Sequence, residues 1–198
     1  GQDVVMDTMA DADALTSLTL TANGGDTTIT TIGTSGTASG NAELLATITA
    51  TASNTGDITL TNVYADDSTN STTDLAMAVT ATAGTNSTIA LGTIVNTYGT
   101  IALTTSGLGT AGSTALTADD ITGTIGALGT HAAMTATDDI TLTVSSAGAV
   151  ILSSLTAAAA ATGAIAVTAT GAGALTISDV NASAGALTVT GTDATGVI

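Results

Sequence analysis

Six residue types are absent from this chain of 198 residues: lysine, arginine, proline, cysteine, phenylalanine and tryptophan. Because no basic side chain opposes the 16 acidic ones, the formal charge is −16, and binding to nucleic acid or to an anionic membrane is not expected. The absence of cysteine excludes a disulfide scaffold and thiolate metal sites. No strongly apolar run reaches the roughly 18 residues that a membrane-spanning helix needs, so membrane insertion is not expected either.

Large side chains are scarce, since only 1% of the residues are aromatic. A thick globular core needs such side chains to fill it, so a conventional globular domain is disfavoured. The mean hydropathy of +0.53 and the regular alternation of Ile, Val and Leu also disfavour a disordered chain. Threonine, alanine and glycine dominate instead, and a narrow stack can be filled by small and branched aliphatic side chains.

A repeat is visible in the last third of the chain. The segment 140–157 aligns without a gap on the segment 165–182 at an offset of 25 residues, which places Ile140 on Ile165 and Leu152 on Ile177. A third, shorter segment begins at Leu187. Each segment consists of two short alternating stretches around a glycine, which predicts two strands and a turn per repeat. The sequence therefore predicts an all-β protein, a right-handed parallel β-solenoid of about seven coils.

The repeat pattern divides the chain into two parts. Residues 1–17 are predicted to be an acidic lead-in or cap, in which Val5, Met9 and Leu15 could lie on one side of a short helix. Residues 18–198 are predicted to be the solenoid, with a polar insertion at 65–74 and another within 111–139. The chain stops inside a repeat and has no initiator methionine, so we expect it to be a piece of a longer protein. The expected coils begin at Leu18, Ile48, Val79, Ile101, Ile140, Ile165 and Leu187.

Threonines recur at two outward positions of these coils. Two of them, Thr104 and Thr168, stand alone in the fourth and sixth coils, so the sequence predicts an interrupted ladder. A Thr-x-Thr array resembles the face of β-solenoid ice-binding proteins, although threonine is also a common strand former with an outward hydroxyl. The complete pairs are Thr19/Thr21, Thr49/Thr51, Thr80/Thr82, Thr141/Thr143 and Thr188/Thr190.

Three pairs of adjacent aspartates lie in the predicted insertions or directly before a strand. Paired carboxylates near carbonyls and hydroxyls offer the oxygen ligands that Ca²⁺ prefers, and closely packed carboxylates without cations repel one another. A solvated acidic loop is the competing interpretation for each pair. The predicted calcium ligands are Asp66, Asp67, Asp119, Asp120, Asp138 and Asp139.

No motif points to catalysis. His131 is the sole histidine, with neither a cysteine nor a nucleophile elbow beside it, and is predicted to be an exposed loop residue. Polysaccharide-cleaving β-helix enzymes combine carboxylates with basic residues, which this chain lacks. We therefore do not expect an enzyme.

The coils of residues 163–196, GAIAVTATGAGALTISDVNASAGALTVTGTDATG, resemble the repetitive parts of bacterial surface-layer proteins. The nearest type is the Caulobacter-like, calcium-dependent kind exported by type I secretion. The Gly-Gly-x-Gly-x-Asp repeats that carry calcium in such proteins are missing, and Asn23-Gly24-Gly25-Asp26 only approximates one of them.

This resemblance implies an extracellular, cell-surface structural protein that assembles with copies of itself into a lattice or fibre stabilised by Ca²⁺. Cell-surface glycans are a further candidate partner. The alternative hypothesis is a β-solenoid adhesin stalk or an ice-binding protein that uses the threonine ladder.

Overall fold

The structure, a computed structural model, describes residues 1–35, 42, 44–65, 75–159, 162–183 and 185–192. These residues form sixteen β-strands, and the described part of the chain contains no helix. The odd-numbered strands form one sheet, called the odd sheet: β1 (Val4–Met9), β3 (Thr27–Ile32), β5 (Ile58–Tyr64), β7 (Thr88–Asn96), β9 (Thr110–Ala118), β11 (Gly129–Ala136), β13 (Val150–Ala157) and β15 (Leu175–Ala182). The even-numbered strands form the even sheet: β2 (Ser17–Asn23), β4 (Thr47–Ser53), β6 (Met77–Ala83), β8 (Ile101–Gly107), β10 (Ile121–Ile125), β12 (Ile140–Val144), β14 (Ile165–Ala169) and β16 (Leu187–Gly191).

Each strand pairs in parallel with the strand two places along the chain, so the chain alternates between the sheets as it climbs. One coil is an even strand and the odd strand that follows it. This is the predicted architecture, and the parallel β-solenoid is confirmed. The reason is visible in strands such as β2 and β12, where outward threonines alternate with inward aliphatic residues that form a thin core only when the coils stack.

The offset of 25 residues is confirmed in the pairing. Ile140 pairs with Ile165, which pairs with Leu187, and on the odd sheet Leu152 pairs with Ile177. The turn between the two sheets repeats as well. A Cβ on Gly173 would lie 2.0 Å from the carbonyl oxygen of Gly148 one coil earlier, so only glycine permits this close stacking of turns.

The even strands and the odd strands that follow them form seven complete coils, and β16 begins an eighth, so the prediction of about seven coils is confirmed. The polar insertion predicted within residues 111–139 is wrong, because these residues contain most of β9 and the complete coil formed by β10 and β11. The short helix considered near the start of the chain is also wrong, because Val4–Met9 is a strand that pairs with β3 at one side of the odd sheet. The insertion predicted at 65–74 lies, apart from Ala65, outside the described residues.

The predicted register of the fourth coil is wrong by two residues. Val79 pairs with Leu103, whereas Ile101 pairs with Met77. A shift of two leaves every side chain on its predicted face, because side chains alternate with a period of two. It changes, however, which threonines stand in line.

The core consists of columns of aliphatic side chains that run from coil to coil. Ile48, Val79 and Leu103 form one such column under the even sheet and are fully buried. On the odd sheet Leu152 is fully buried, whereas its partner Ile177 is only partly buried, because β15 has a neighbouring strand on one side alone. The interior therefore continues through the whole stack, and burial decreases at its last coil.

Candidate functional site

Two of the three predicted acidic pairs come together at one corner of the solenoid. Asp119 and Asp120 connect β9 to β10, and Asp138 and Asp139 connect β11 to β12. The amide of Asp138 donates to the carbonyl oxygen of Asp119 over 2.8 Å, so the pairs are stacked in adjacent coils. The remaining predicted ligands, Asp66 and Asp67, lie outside the described residues.

The carboxylates at this corner, called the 120 corner, also have a structural task. Oδ1 of Asp120 accepts the amide of Asp139 (3.0 Å), and Oδ1 of Asp139 accepts the amide of Ala164 (2.8 Å). Oδ1 of Asp138 accepts the hydroxyl of Thr162 over 2.7 Å. Each of these three carboxylates thus fastens its coil to the next one, with a strong charge-assisted hydrogen bond.

The 120 corner offers carboxylate and carbonyl oxygens, which are the ligands that a hard cation such as Ca²⁺ prefers. Within the described residues, however, no group of three or more His, Cys, Asp or Glu side chains is close enough to hold a metal ion. A calcium ion at this corner would therefore need further oxygens from water or from a second molecule. The calcium assignment stays a prediction.

A second column of aspartates, called the 26 corner, was missed by the sequence analysis. The amide of Asp26 donates to Oδ1 of Asp3 (3.0 Å) and that of Asp57 donates to Oδ1 of Asp26 (3.0 Å), while Oδ1 of Asp57 accepts the amide of Thr88 (2.6 Å). Each aspartate directly precedes a strand, as Asp120 and Asp139 do. That position, an aspartate just before the first residue of a strand, is the signal that could have identified all five.

The outer face of the even sheet carries an unbroken file of threonines, one from each strand. The corrected register places Thr104 beside Thr80 on one side and beside Thr124 on the other. It also places Thr141 and Thr188 in a second file, which begins at Ser17 and runs beside the first. The predicted interruption of the threonine ladder therefore does not exist. The complete file is Thr19, Thr49, Thr80, Thr104, Thr124, Thr143, Thr168 and Thr190.

Charge is separated from this face. The eight even strands contain no acidic residue and no histidine, and in the sixteen strands only Asp7 and Asp179, both on the odd sheet, are acidic. The other described acidic residues lie in the connections between strands or, for Asp3, directly before β1. The molecule therefore combines acidic corners with one neutral, hydroxyl-covered plane.

His131 is not the exposed loop residue that was predicted. It lies in β11 with its side chain fully buried in the core, and its Nδ1 is 2.9 Å from the hydroxyl of Ser113. Its Nε2 has no hydrogen-bond partner in the described part of the chain, and burial lowers its pKa to about 4. Both side chains are buried, so this pair lies in the core.

No family model matches the chain, and neither a curated protein nor a solved structure matches it. Among the described residues there is no helix long and apolar enough to cross a membrane.

Proposed function

We propose that this chain is a structural segment of an extracellular, self-assembling surface layer or fibre in which Ca²⁺ joins the acidic corners of neighbouring molecules. The observation that carries the proposal is the stacking of Asp119 and Asp120 directly against Asp138 and Asp139 in the next coil. No enzymatic activity forms part of it. The solenoid supplies a rigid rod, and the corner supplies the contact.

The charge of the chain explains why such an assembly needs a cation. A formal charge of −16 without any lysine or arginine makes two parallel rods repel each other. At 0.1 M ionic strength, salt screens that repulsion only at separations beyond about 10 Å, so the repulsion persists where two rods touch. Ca²⁺ takes roughly six to eight oxygen ligands in flexible geometry. One 120 corner supplies part of such a shell, and the corner of a second molecule together with water supplies the rest.

The adhesin stalk is the alternative. It would use the same rod as a spacer, with cell-surface glycans or other partners bound elsewhere in a longer protein. Such a stalk requires neither contact between copies nor a bridging ion, so dependence of assembly on calcium separates the two functions.

The test is assembly of the 198-residue chain, followed by light scattering and electron microscopy. We expect an excess of chelator to disperse the assemblies and lower the melting temperature. Calcium should restore both, while sodium chloride at equal ionic strength should not.

Two matched variants locate the ion. D119N/D120N/D138N/D139N removes four charges at the 120 corner but keeps an oxygen acceptor at each position, and should no longer respond to calcium. D3N/D7N/D26N/D57N removes the same number of charges elsewhere and should still respond. Assembly that persists unchanged in chelator, or equal loss in both variants, would contradict the proposal.

A further inference from the structure

We infer that the outer face of the even sheet is an ice-binding surface, whose partner is a plane of crystalline water. This inference is independent of the proposed assembly, because the surface contains none of the acidic corner residues. It rests on three observations: the regularity of the face, the free hydroxyls on it, and its lack of charge.

The face is regular in both directions. Along the stack, the eight threonines of the central file are separated by one strand spacing each, about 4.8 Å, which gives a plane roughly 34 Å long. Along each strand, outward positions recur every two residues, roughly 6.6 Å apart. The flanking file on one side holds only serine, threonine and alanine: Ser17, Thr47, Ala78, Ala102, Thr122, Thr141, Ala166 and Thr188. No large side chain interrupts the array.

The hydroxyls of the central file are available to water. In the described part of the chain, none of these eight hydroxyls has a hydrogen-bond partner, although each threonine is at least partly exposed. Other hydroxyls differ, since those of Thr82 and Ser106 bond to each other and that of Thr170 donates to the carbonyl oxygen of Val144. The central file therefore offers a row of identical groups, each with one hydroxyl and one methyl, that can order water with the period of the protein.

The neutrality of the face suits ice rather than an ionic partner. Charged side chains hold their own hydration shells, and a crystal lattice of water has no place for a hydrated ion. The chain has a formal charge of −16, yet none of the eight even strands contains a carboxylate, so this face presents a surface without that obstacle. A second, equally acidic copy would gain nothing from charge at this face, while its own corners would repel.

The array is also rigid. Directly beneath the outward threonines lie inward side chains such as Ile48, Val79 and Leu103, which are fully buried and stacked from coil to coil. Threonine itself is restricted at χ1 by its branched Cβ. Little conformational entropy is then lost when the face binds an ordered lattice.

The experiment measures thermal hysteresis and the shape of single ice crystals, with the protein dispersed in chelator so that assembly does not contribute. We expect faceted crystals and measurable hysteresis from the unmodified chain. T80Y/T104Y places two bulky side chains in adjacent coils at the centre of the file and should abolish both. The control T28Y/T59Y makes the same change at two adjacent coils of the odd sheet, where Thr28 and Thr59 pair, and should retain both.

A second variant excludes misfolding as the cause of a loss of ice shaping. T80K/T104K adds two exposed, charged side chains that leave the core untouched, and should also abolish ice shaping while the melting temperature stays within a few degrees. Unfaceted crystals from the unmodified chain, or equal loss in the even-sheet and odd-sheet variants, would overturn the inference. A change of sedimentation coefficient in T80Y/T104Y without any ice shaping by the unmodified chain would assign the face to a second copy instead. The response of assembly to calcium is measured in a separate experiment, so a negative result there does not affect the test of ice binding.

Discussion

The hydroxyl of Ser113 lies 2.9 Å from Nδ1 of His131 inside the hydrophobic core. In the column that these two residues share, the neighbouring positions are Leu91 and Leu152. Two consecutive coils therefore place polar side chains where the adjoining coils place leucine. The pair satisfies Nδ1 and the serine hydroxyl, but Nε2 of the histidine stays without a partner among the described residues.

Acid should weaken the fold through His131. Burial lowers its pKa to about 4 from the ordinary 6.5, so the unfolded chain binds the proton more tightly than the folded chain does. The stability is then complete above pH 6.5 and is lost as the pH falls from 6.5 towards 4, by roughly 3 kcal/mol in total. Urea unfolding at several pH values between 7.5 and 5 measures how the free energy of unfolding changes with pH. This interval lies above the pH of about 4 at which ordinary carboxyl groups titrate.

The control for this pH dependence is His131→Leu, which restores the residue type of the neighbouring coil. Its free energy of unfolding should change much less with pH over the same interval. If the slope is the same in both proteins, the histidine is not its source.

The Ser113–His131 pair should behave as a unit. Ser113→Ala leaves both ring nitrogens without a partner and should cost about 1–3 kcal/mol. The double variant S113A/H131L removes both polar groups and should be more stable than the sum of the two single changes indicates. A double-mutant cycle from urea unfolding at pH 7.5 gives the coupling free energy between the two side chains. Strictly additive effects of the two substitutions would contradict the prediction.

The alternation of inward and outward side chains predicts opposite outcomes for two adjacent substitutions in β13. Leu152 is fully buried, so Leu152→Asp places an unpaired charge in the core and should cost more than about 4 kcal/mol. Ile151 is 38% exposed, and Ile151→Asp should cost less than about 1 kcal/mol. Melting temperatures by circular dichroism distinguish the two, and similar losses would show that the assigned faces are wrong.

The aspartates of the 26 corner should stabilise the stack through the hydrogen bonds that their carboxylates accept from the next coil. Asp57→Ala leaves the amide of Thr88 without its acceptor and should cost about 1–2 kcal/mol. Asp57→Asn retains a neutral oxygen acceptor there and should cost less than Asp57→Ala, because only the charge-assisted part of the hydrogen bond is lost. Asp179→Ala, at an exposed position on the odd sheet, serves as the control for loss of charge alone.

The sequence predicted the parallel solenoid and the face of most side chains, because alternation and the 25-residue offset are direct consequences of strand geometry. It missed the coil of β10 and β11 because that coil breaks the aliphatic pattern on both sheets. Gly123 stands between Leu103 and Leu142 in the inward column of the even sheet, and His131 stands in the corresponding column of the odd sheet. Because these two inward positions hold glycine and histidine instead of leucine, the sequence of this coil is typical of a polar insertion.

The register of the threonine file could not be predicted for a related reason. Met77-x-Val79 and Ile101-x-Leu103 are equally apolar, so alternation alone cannot choose between two alignments that differ by two residues. The pairing of aspartates across the 120 corner likewise depends on which coils are neighbours, and the unrecognised coil that begins at Ile121 hid that neighbour relation.

The hydrogen bonds of both sheets point along the long axis of the stack, because each strand's neighbours belong to the coils before and after it. The strands of a terminal coil have a hydrogen-bonded neighbour on one side only, so under tension along that axis a terminal coil should open before the inner coils do. Each coil that opens releases its own length of chain, 25 residues between Ile140 and Ile165. The molecule would lengthen under load in many small steps, and each freed coil could close again on the template that the next one still presents.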